Sequence, residues 1–327
     1  MKIDSVIAVG GSFKGLALPS YDNTLVPRQG ALNYDGQNLR IGNGNDWDKV
    51  PVVIGDLFDF TSFTFTSAGT RGPTGPTDAA LRSAYAGAAF LEEYFTSTGG
   101  IQHFTVPADG TYRITAQGST YPQGSPGRVV ATVSLKRGDV LNILCGQTPP
   151  LGVSHDRCGC GGTFVESANE GILVVAGAPG GWGQSQWQYA RGQVTNVSTG
   201  GAVSGVARSY AGGGGGYSQD GFSIGAEIPG RSFKNGGQGG VGAAGSTMTR
   251  GGFGGGGAYQ SSTGWRLAGG GGYAGGAGAS PSTGSAELST TGGTCFASPK
   301  AVDVSITVSR VLVLTQGTVT LELIAKD

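Results

Sequence analysis

From residue 101 onward the chain alternates apolar and polar positions in short runs separated by turn residues. Period-two alternation over four to eight residues marks half-buried strands. The pattern predicts strands over residues 101–106, 111–117, 129–135, 140–144, 162–165 and 172–176, and again over 302–314 and 318–324. Turn signals separate them, such as Ala108-Asp109-Gly110 and Lys136-Arg137-Gly138-Asp139. Short strands at about 8–12-residue spacing argue for a sandwich or jelly roll. Upstream, Leu32, Tyr34, Leu39 and Ile41 flank Asp35-Gly36, and Trp47 follows a second tight turn, so residues 1–55 read as a hairpin module. Two hairpins bury little alone, so this module is expected to be completed by copies of itself or by a docking surface.

Residues 56–100 read as a connector. Residues 69–77 are three Gly-X-Y triplets, too few for a collagen helix, which predicts an extended linker. Asp78 then caps a predicted helix over 79–85.

Between strands of the sandwich, at about residues 205–295, stands a glycine-run insertion, so its two ends must be close in space. Residues 212–278 hold 28 of the chain's 65 glycines. Glycine loses more backbone entropy on folding than any other residue. A loose linker would tolerate that, but Tyr217, Phe222, Phe233, Phe253, Tyr259, Trp265 and Tyr273 punctuate the runs. Such runs are expected to pack as polyproline-II-type helices, glycine facing glycine, because a Cβ would block the approach of neighbouring backbones. Every strand of such a bundle must exchange main-chain hydrogen bonds with its neighbours. The fold class expected is therefore mainly β: an N-terminal β-hairpin module, then a jelly-roll-like β-sandwich over 101–327 with an inserted bundle of glycine-rich helices.

Composition narrows the function. Lysine plus arginine equals aspartate plus glutamate at 21 each, which removes the electrostatic case for nucleic acid as a partner. No window approaches the ~18 apolar residues of a membrane span, and the start of the chain is too broken for a signal-peptide core. A chain made in a cytosol, without membrane insertion, is expected. Histidines number two, His103 and His155, which leaves little for acid–base chemistry. His155, Cys158 and Cys160, with Cys145 nearby, form the one metal-like grouping, but Cys-x-Cys is a poor tetrahedral chelate. Glycine fingerprints for nucleotides arise here by repetition alone, and none joins a strand to a helix. No enzyme activity, cofactor or metal is expected.

Two resemblances follow from the residues. The segments Gly-Thr-Tyr-Arg-Ile (110–114), Gly-Asp-Val-Leu-Asn-Ile-Leu-Cys-Gly-Gln (138–147), Gly-Gly-Thr-Phe-Val (161–165) and Ile-Leu-Val-Val-Ala-Gly (172–177), with the glycine runs, resemble the glycine-rich domain family. That family includes a region of the anaplastic lymphoma kinase receptor and many structural proteins of tailed phages. Residues 30–50, with Gly30, Leu32, Tyr34, Trp47 and Val50, resemble hairpin modules of phage fibre and head-decoration proteins. The resemblances imply a virion structural protein: a trimeric tail fibre or spike, or else a capsid decoration protein that binds no receptor. Residues 1–55 would attach to other virion proteins, with Leu32, Tyr34, Leu39, Ile41 and Trp47 building that module. The distal domain would present loops to a host cell-surface protein or glycan. The candidates on those loops are Tyr217, Phe222, Arg231, Phe233, Arg250, Tyr259, Trp265 and Arg266, since aromatic and arginine side chains dominate recognition surfaces. The same rings could instead cover the glycine bundle.

Overall fold

A computed structural model describes residues 32–34, 39–42, 47–49, 55–122, 124–151, 157–181, 211–222, 229–242, 249–259, 267–278 and 291–327. The chain divides into two compact units, Met1–Phe58 and Asp59–Asp327. In the first, β1 (Leu32–Tyr34), β2 (Leu39–Gly42) and β3 (Trp47–Lys49) form a three-stranded antiparallel sheet. Leu32 pairs with Ile41, Tyr34 with Leu39 and Gly42 with Trp47.

The second unit is a β-sandwich of two antiparallel sheets. One contains, in spatial order, β13 (Val302–Val308), β8 (Gly127–Leu135), β7 (Gly110–Gln117), β14 (Thr318–Lys326) and β4 (Ser62–Phe65). The other contains β12 (Phe296–Ala297), β11 (Gly171–Ala176), β10 (Thr163–Ser167), β9 (Val140–Leu144), β6 (Ile101–Thr105) and β5 (Phe95–Thr98). The period-two pattern does its work here. Tyr112, Ile114 and Ala116 of β7, Val129 and Ala131 of β8, and Leu141 and Ile143 of β9 are shielded from solvent. β11 packs across β7 and β8, and β10 across β7 and β14, so the core lies between the sheets.

Residues 59–100 are not the connector their composition predicts. β4 pairs along β14, and β5 pairs along β6. Helix α1 (Asp78–Ala84) lies between them, capped by the Thr77 hydroxyl, which accepts from the Ala80 N–H; Asp78 is its first residue and not its cap. Phe63, Phe65, Tyr85, Phe90, Phe95 and Phe104 form an aromatic cluster, mostly edge-to-face, that joins β4 of one sheet to β5 and β6 of the other. The Gly-X-Y stretch is packed as well. Gly72 donates to the Thr148 carbonyl and accepts from Phe253 N–H, and Pro73 accepts from Gly239 N–H. Tertiary partners outweigh local composition in this segment.

The glycine-rich stretch is an excursion between β11 and β12. Its ends are neighbours, because Val174 pairs with Ala297 and Val175 with Phe296. Its described segments make isolated bridges, Ala211 with Tyr259 and Val241 with Arg250, and no regular ladder. Among the described residues no helix is long and apolar enough to cross a membrane.

Candidate functional site

The excursion is held together by its own main chain. Successive residues donate to different neighbours: Gly212 to Ala258, Gly213 to Phe222, Gly214 to Gly276 and Gly215 to Gly255. Three segments also bond in a closed triangle, with Gly212 N–H to Ala258, Gly257 N–H to Gly269 and Gly269 N–H to Gly212. Side chains are excluded by distance. A methyl on Gly257 would stand 2.4 Å from the Gly212 carbonyl oxygen, and one on Gly269 would stand 1.8 Å from that of Gly276.

An aromatic stack ties this lobe to the six-stranded sheet. Phe164 stacks on Phe233 at 5.3 Å, Phe233 on Tyr217 at 5.9 Å, Tyr217 on Tyr273 at 6.1 Å, and Tyr273 on Phe296 at 4.2 Å. Phe164 and Phe296 come from β10 and β12, and the other three rings from the lobe. Leu144, Val175 and Phe253 complete the cluster beneath. A short 3-10 helix, Phe233–Asn235, delivers Phe233; the Ser232 hydroxyl caps it and Gly236 ends it in the left-handed conformation.

Glu166 of β10 is the polar counterpart of this stack. It is 5% exposed and accepts hydrogen bonds from the Tyr217 hydroxyl, the Lys234 ammonium and, at 3.1 Å, Asn142 Nδ2. Burial opposes its ionisation, but those three donors outweigh burial and hold its carboxyl below the ordinary value. Tyr217 is pushed up to about 12, first by burial and then by the carboxylate it faces. His103 Nδ1 lies 2.7 Å from Asn142 Oδ1, which gives this strand histidine a structural partner.

A surface stretch of the lobe is organised by Asp220. Its carboxylate accepts from Ser232 N–H at 2.8 Å, Asn235 Nδ2 at 2.9 Å and Arg231 Nη1 at 2.6 Å. Burial resists its charge, yet these donors hold its carboxyl below the ordinary range. Gly221 N–H donates to the Gly230 carbonyl, while Gly213 accepts from Gly230 N–H and donates to Phe222. Those bonds set Phe222 and Arg231 on adjacent segments, with Phe222 52% exposed and the Arg231 side chain equally so.

The eight loop candidates therefore separate. Phe222 and Arg231 stand on the surface together. Phe233, at 4% exposure, and Tyr259, at 3%, are interior residues, and Tyr217 is a half-buried member of the stack. Placing these three on exposed loops is corrected by the structure: a lobe without side chains of its own recruits its few rings as cover. Arg250 is half-buried on its bridge with Val241. Trp265 and Arg266 lie outside the described residues, as does His155. The four cysteines are buried, and no cluster of metal-ligating side chains occurs among the described residues. Asp220, Glu166, Lys234 and Tyr273 escape sequence reasoning. Their roles depend on contacts between segments 11 to 68 residues apart, which no local pattern announces.

An open groove of about 400 Å³ lies elsewhere on the second unit, beside α1, lined by Phe60, Phe63, Ala84 and Phe90 among others. Its titratable side chains are Asp59 and Tyr85, and the Tyr85 hydroxyl is committed to Thr66 and Gln102. Searched against protein-family models, the chain matches none.

Proposed function

We propose that this chain is a virion structural protein of a phage, a tail-fibre or spike subunit whose glycine-rich lobe displays recognition residues to a host cell surface. The observation that carries the reading is a surface patch of the lobe: an exposed Phe222 beside an exposed, Asp220-oriented Arg231, on a scaffold bonded main chain to main chain. A pre-ordered scaffold loses little conformational entropy when it binds, so a small contact patch suffices. The rotation of hydrogen-bond donors from Gly212 to Gly215 is what a helix of three residues per turn requires, which supports polyproline-II rods in the lobe. The low charge content, 42 of 327 residues, suits a rigid exterior part.

In this reading the N-terminal sheet attaches to other virion proteins and assembles a homotrimer, and the partner at this patch is a cell-surface protein or glycan. Three linked patches would multiply a modest single-site affinity. The test has two arms: the position of the chain in electron cryomicroscopy maps of the particle, and binding of the purified chain to host cells. A tail position, with cell binding lost in Phe222→Ala and Arg231→Ala, is expected. A capsid position with no cell binding replaces the display reading with an architectural one.

A further inference from the structure

Three polar side chains stand abreast on the face of the six-stranded sheet that the lobe covers. His103 of β6 is paired in register with Asn142 of β9, and Asn142 with Glu166 of β10. Two residues away along β9 and β10, Leu144 and Phe164 belong to the apolar cluster that includes Phe233 and Phe253 of the lobe. Lys234, from the 3-10 helix that delivers Phe233, reaches the same row and bonds to Glu166.

Both ends of the Asn142 side-chain amide are engaged. Its Nδ2 donates to Glu166 Oε2 at 3.1 Å. That turns Oδ1 toward His103 Nδ1, 2.7 Å away, because the opposite orientation would aim an oxygen at a carboxylate. The imidazole therefore donates from Nδ1. Its proton lies on the oxygen where negative charge gathers when an amide carbon is attacked. The other carboxylate oxygen of Glu166, Oε1, accepts from the Lys234 ammonium and from the Tyr217 hydroxyl. One carboxylate thus holds an amine and an amide next to each other, and a ring N–H polarises the amide.

We propose that Lys234 Nζ and Asn142 Cγ join in an isopeptide bond, a covalent tie between the lobe and the sandwich. The structure shows the two side chains unlinked. Glu166 takes a proton from the Lys234 ammonium, and the freed amine attacks Asn142 Cγ. The bond from Cγ to Nδ2 then breaks. The amine gives up two protons in all, both pass by way of Glu166 to Nδ2, and the nitrogen departs as ammonium. One amide replaces another, so no oxidant, reductant or cofactor is consumed. Attack needs the reacting atoms about 3–3.5 Å apart. Lys234 is the member able to close that distance, since its side chain is 47% exposed while Asn142 and Glu166 are set by strand register. Burial works against its charge, but the bonds to Glu166 and Tyr217 outweigh burial and raise its pKa above the ordinary value. The resting amine is therefore protonated and the reaction is slow, which a bond made once per molecule tolerates. The tie goes beyond the display reading and holds whether or not the lobe binds a receptor.

The intact mass of the purified full chain, held folded for days, tests this. Wild type is expected to fall below its sequence mass by one ammonia. Trypsin should then release residues 138–157 and 232–250 as one branched peptide, uncut after Lys234. Lys234→Arg keeps a cation for Glu166 without a reactive amine, and Asn142→Ala removes the carbon under attack. Both are expected to keep their full mass, with thermal melts showing that they fold. Glu166→Gln keeps the shape of the acceptor but cannot carry the proton, and is expected to slow linkage about 100-fold. A folded wild-type chain that retains its sequence mass overturns the proposal. So does an ammonia loss that maps to another residue or persists in Lys234→Arg, or linkage at an undiminished rate in Glu166→Gln.

Discussion

Gly271→Ala separates space from backbone conformation as the reason the lobe uses glycine. Gly271 does not occupy the left-handed region, so its backbone would accept alanine. Space would not. The new methyl would stand 1.8 Å from the Gly254 carbonyl oxygen, where ordinary contact begins at 3.4 Å, so one segment must retreat by about 1.6 Å. Gly271 also donates to Cys160 at 2.9 Å and accepts from Ala178 at 2.9 Å, and a shift of that size breaks both bonds. Overpacking alone costs about 1–3 kcal/mol. Each buried group left unpaired adds about 1–3 kcal/mol. With partial relaxation the expected loss is about 3–6 kcal/mol, a large part of the ~5–15 kcal/mol that holds a domain folded. Gly138→Ala is the comparator: φ is +87° and nothing lies within 4 Å, so only the left-handed conformation opposes alanine, at about 1–2 kcal/mol. Urea unfolding followed by fluorescence measures the difference, and native-state hydrogen exchange reports whether amides of the lobe open first. Equal stability of Gly271→Ala and wild type, with equal protection of residues 212–216 and 269–272, would refute the packing argument.

Phe222→Ala is expected to change stability by less than about 0.5 kcal/mol and Arg231→Ala, which gives up a half-exposed ion pair, by about 1 kcal/mol at most, while each removes host-cell binding, as thermal melts and cell-binding assays will show; a loss of fold to match would make both residues structural. Glu166→Ala strands a tyrosine hydroxyl and an ammonium at a buried acceptor site, so a loss of about 3 kcal/mol is expected in denaturant titrations, against a smaller loss for Glu166→Gln. Glu166 and Asp220 both have folded-state pKa values held below the unfolded 4.5 and 3.8, so their contribution is complete above those values and fades as pH falls through the lowered ones. Melting temperatures taken from pH 7 to 3 should therefore fall at the acid end, and less steeply in Glu166→Gln. Burial pushes the Cys145 thiol up to about 12, and Cys158, Cys160 and Cys295 are buried too, so a thiol reagent should label the folded chain no faster than it unfolds.

The sandwich was legible because its strands are short alternating or apolar runs bounded by turn residues. Predicted strands at 140–144 and 172–176 coincide with β9 and β11 within a residue. The segment around Phe63, Phe65, Phe90 and Phe95 was not. It lies beside proline and glycine triplets, and its rings are fixed by a cluster that includes partners across the sandwich, such as Phe65 with Phe104. At the candidate site, the presence of a glycine lobe could be read, but which rings face outward could not. Phe222 and Phe233 have similar local surroundings in sequence, yet Phe233 lies under the lobe against Phe164, and Phe222 lies beyond the last main-chain bond to Gly213. Side-chain direction in a glycine lobe follows its stacking, which leaves no periodic trace.

Because the chain leaves β11 and re-enters at β12 one strand spacing away, the strand order of the sandwich sets no length for what is spliced there. Diversifying that cassette asks that its two ends meet about 5 Å apart and that the groups seated on the sheet, Phe233 on Phe164 and Tyr217 on Glu166, be kept. The sandwich and the outer loops of the head can thus change on separate evolutionary clocks, with a single pair of neighbouring strands as the socket.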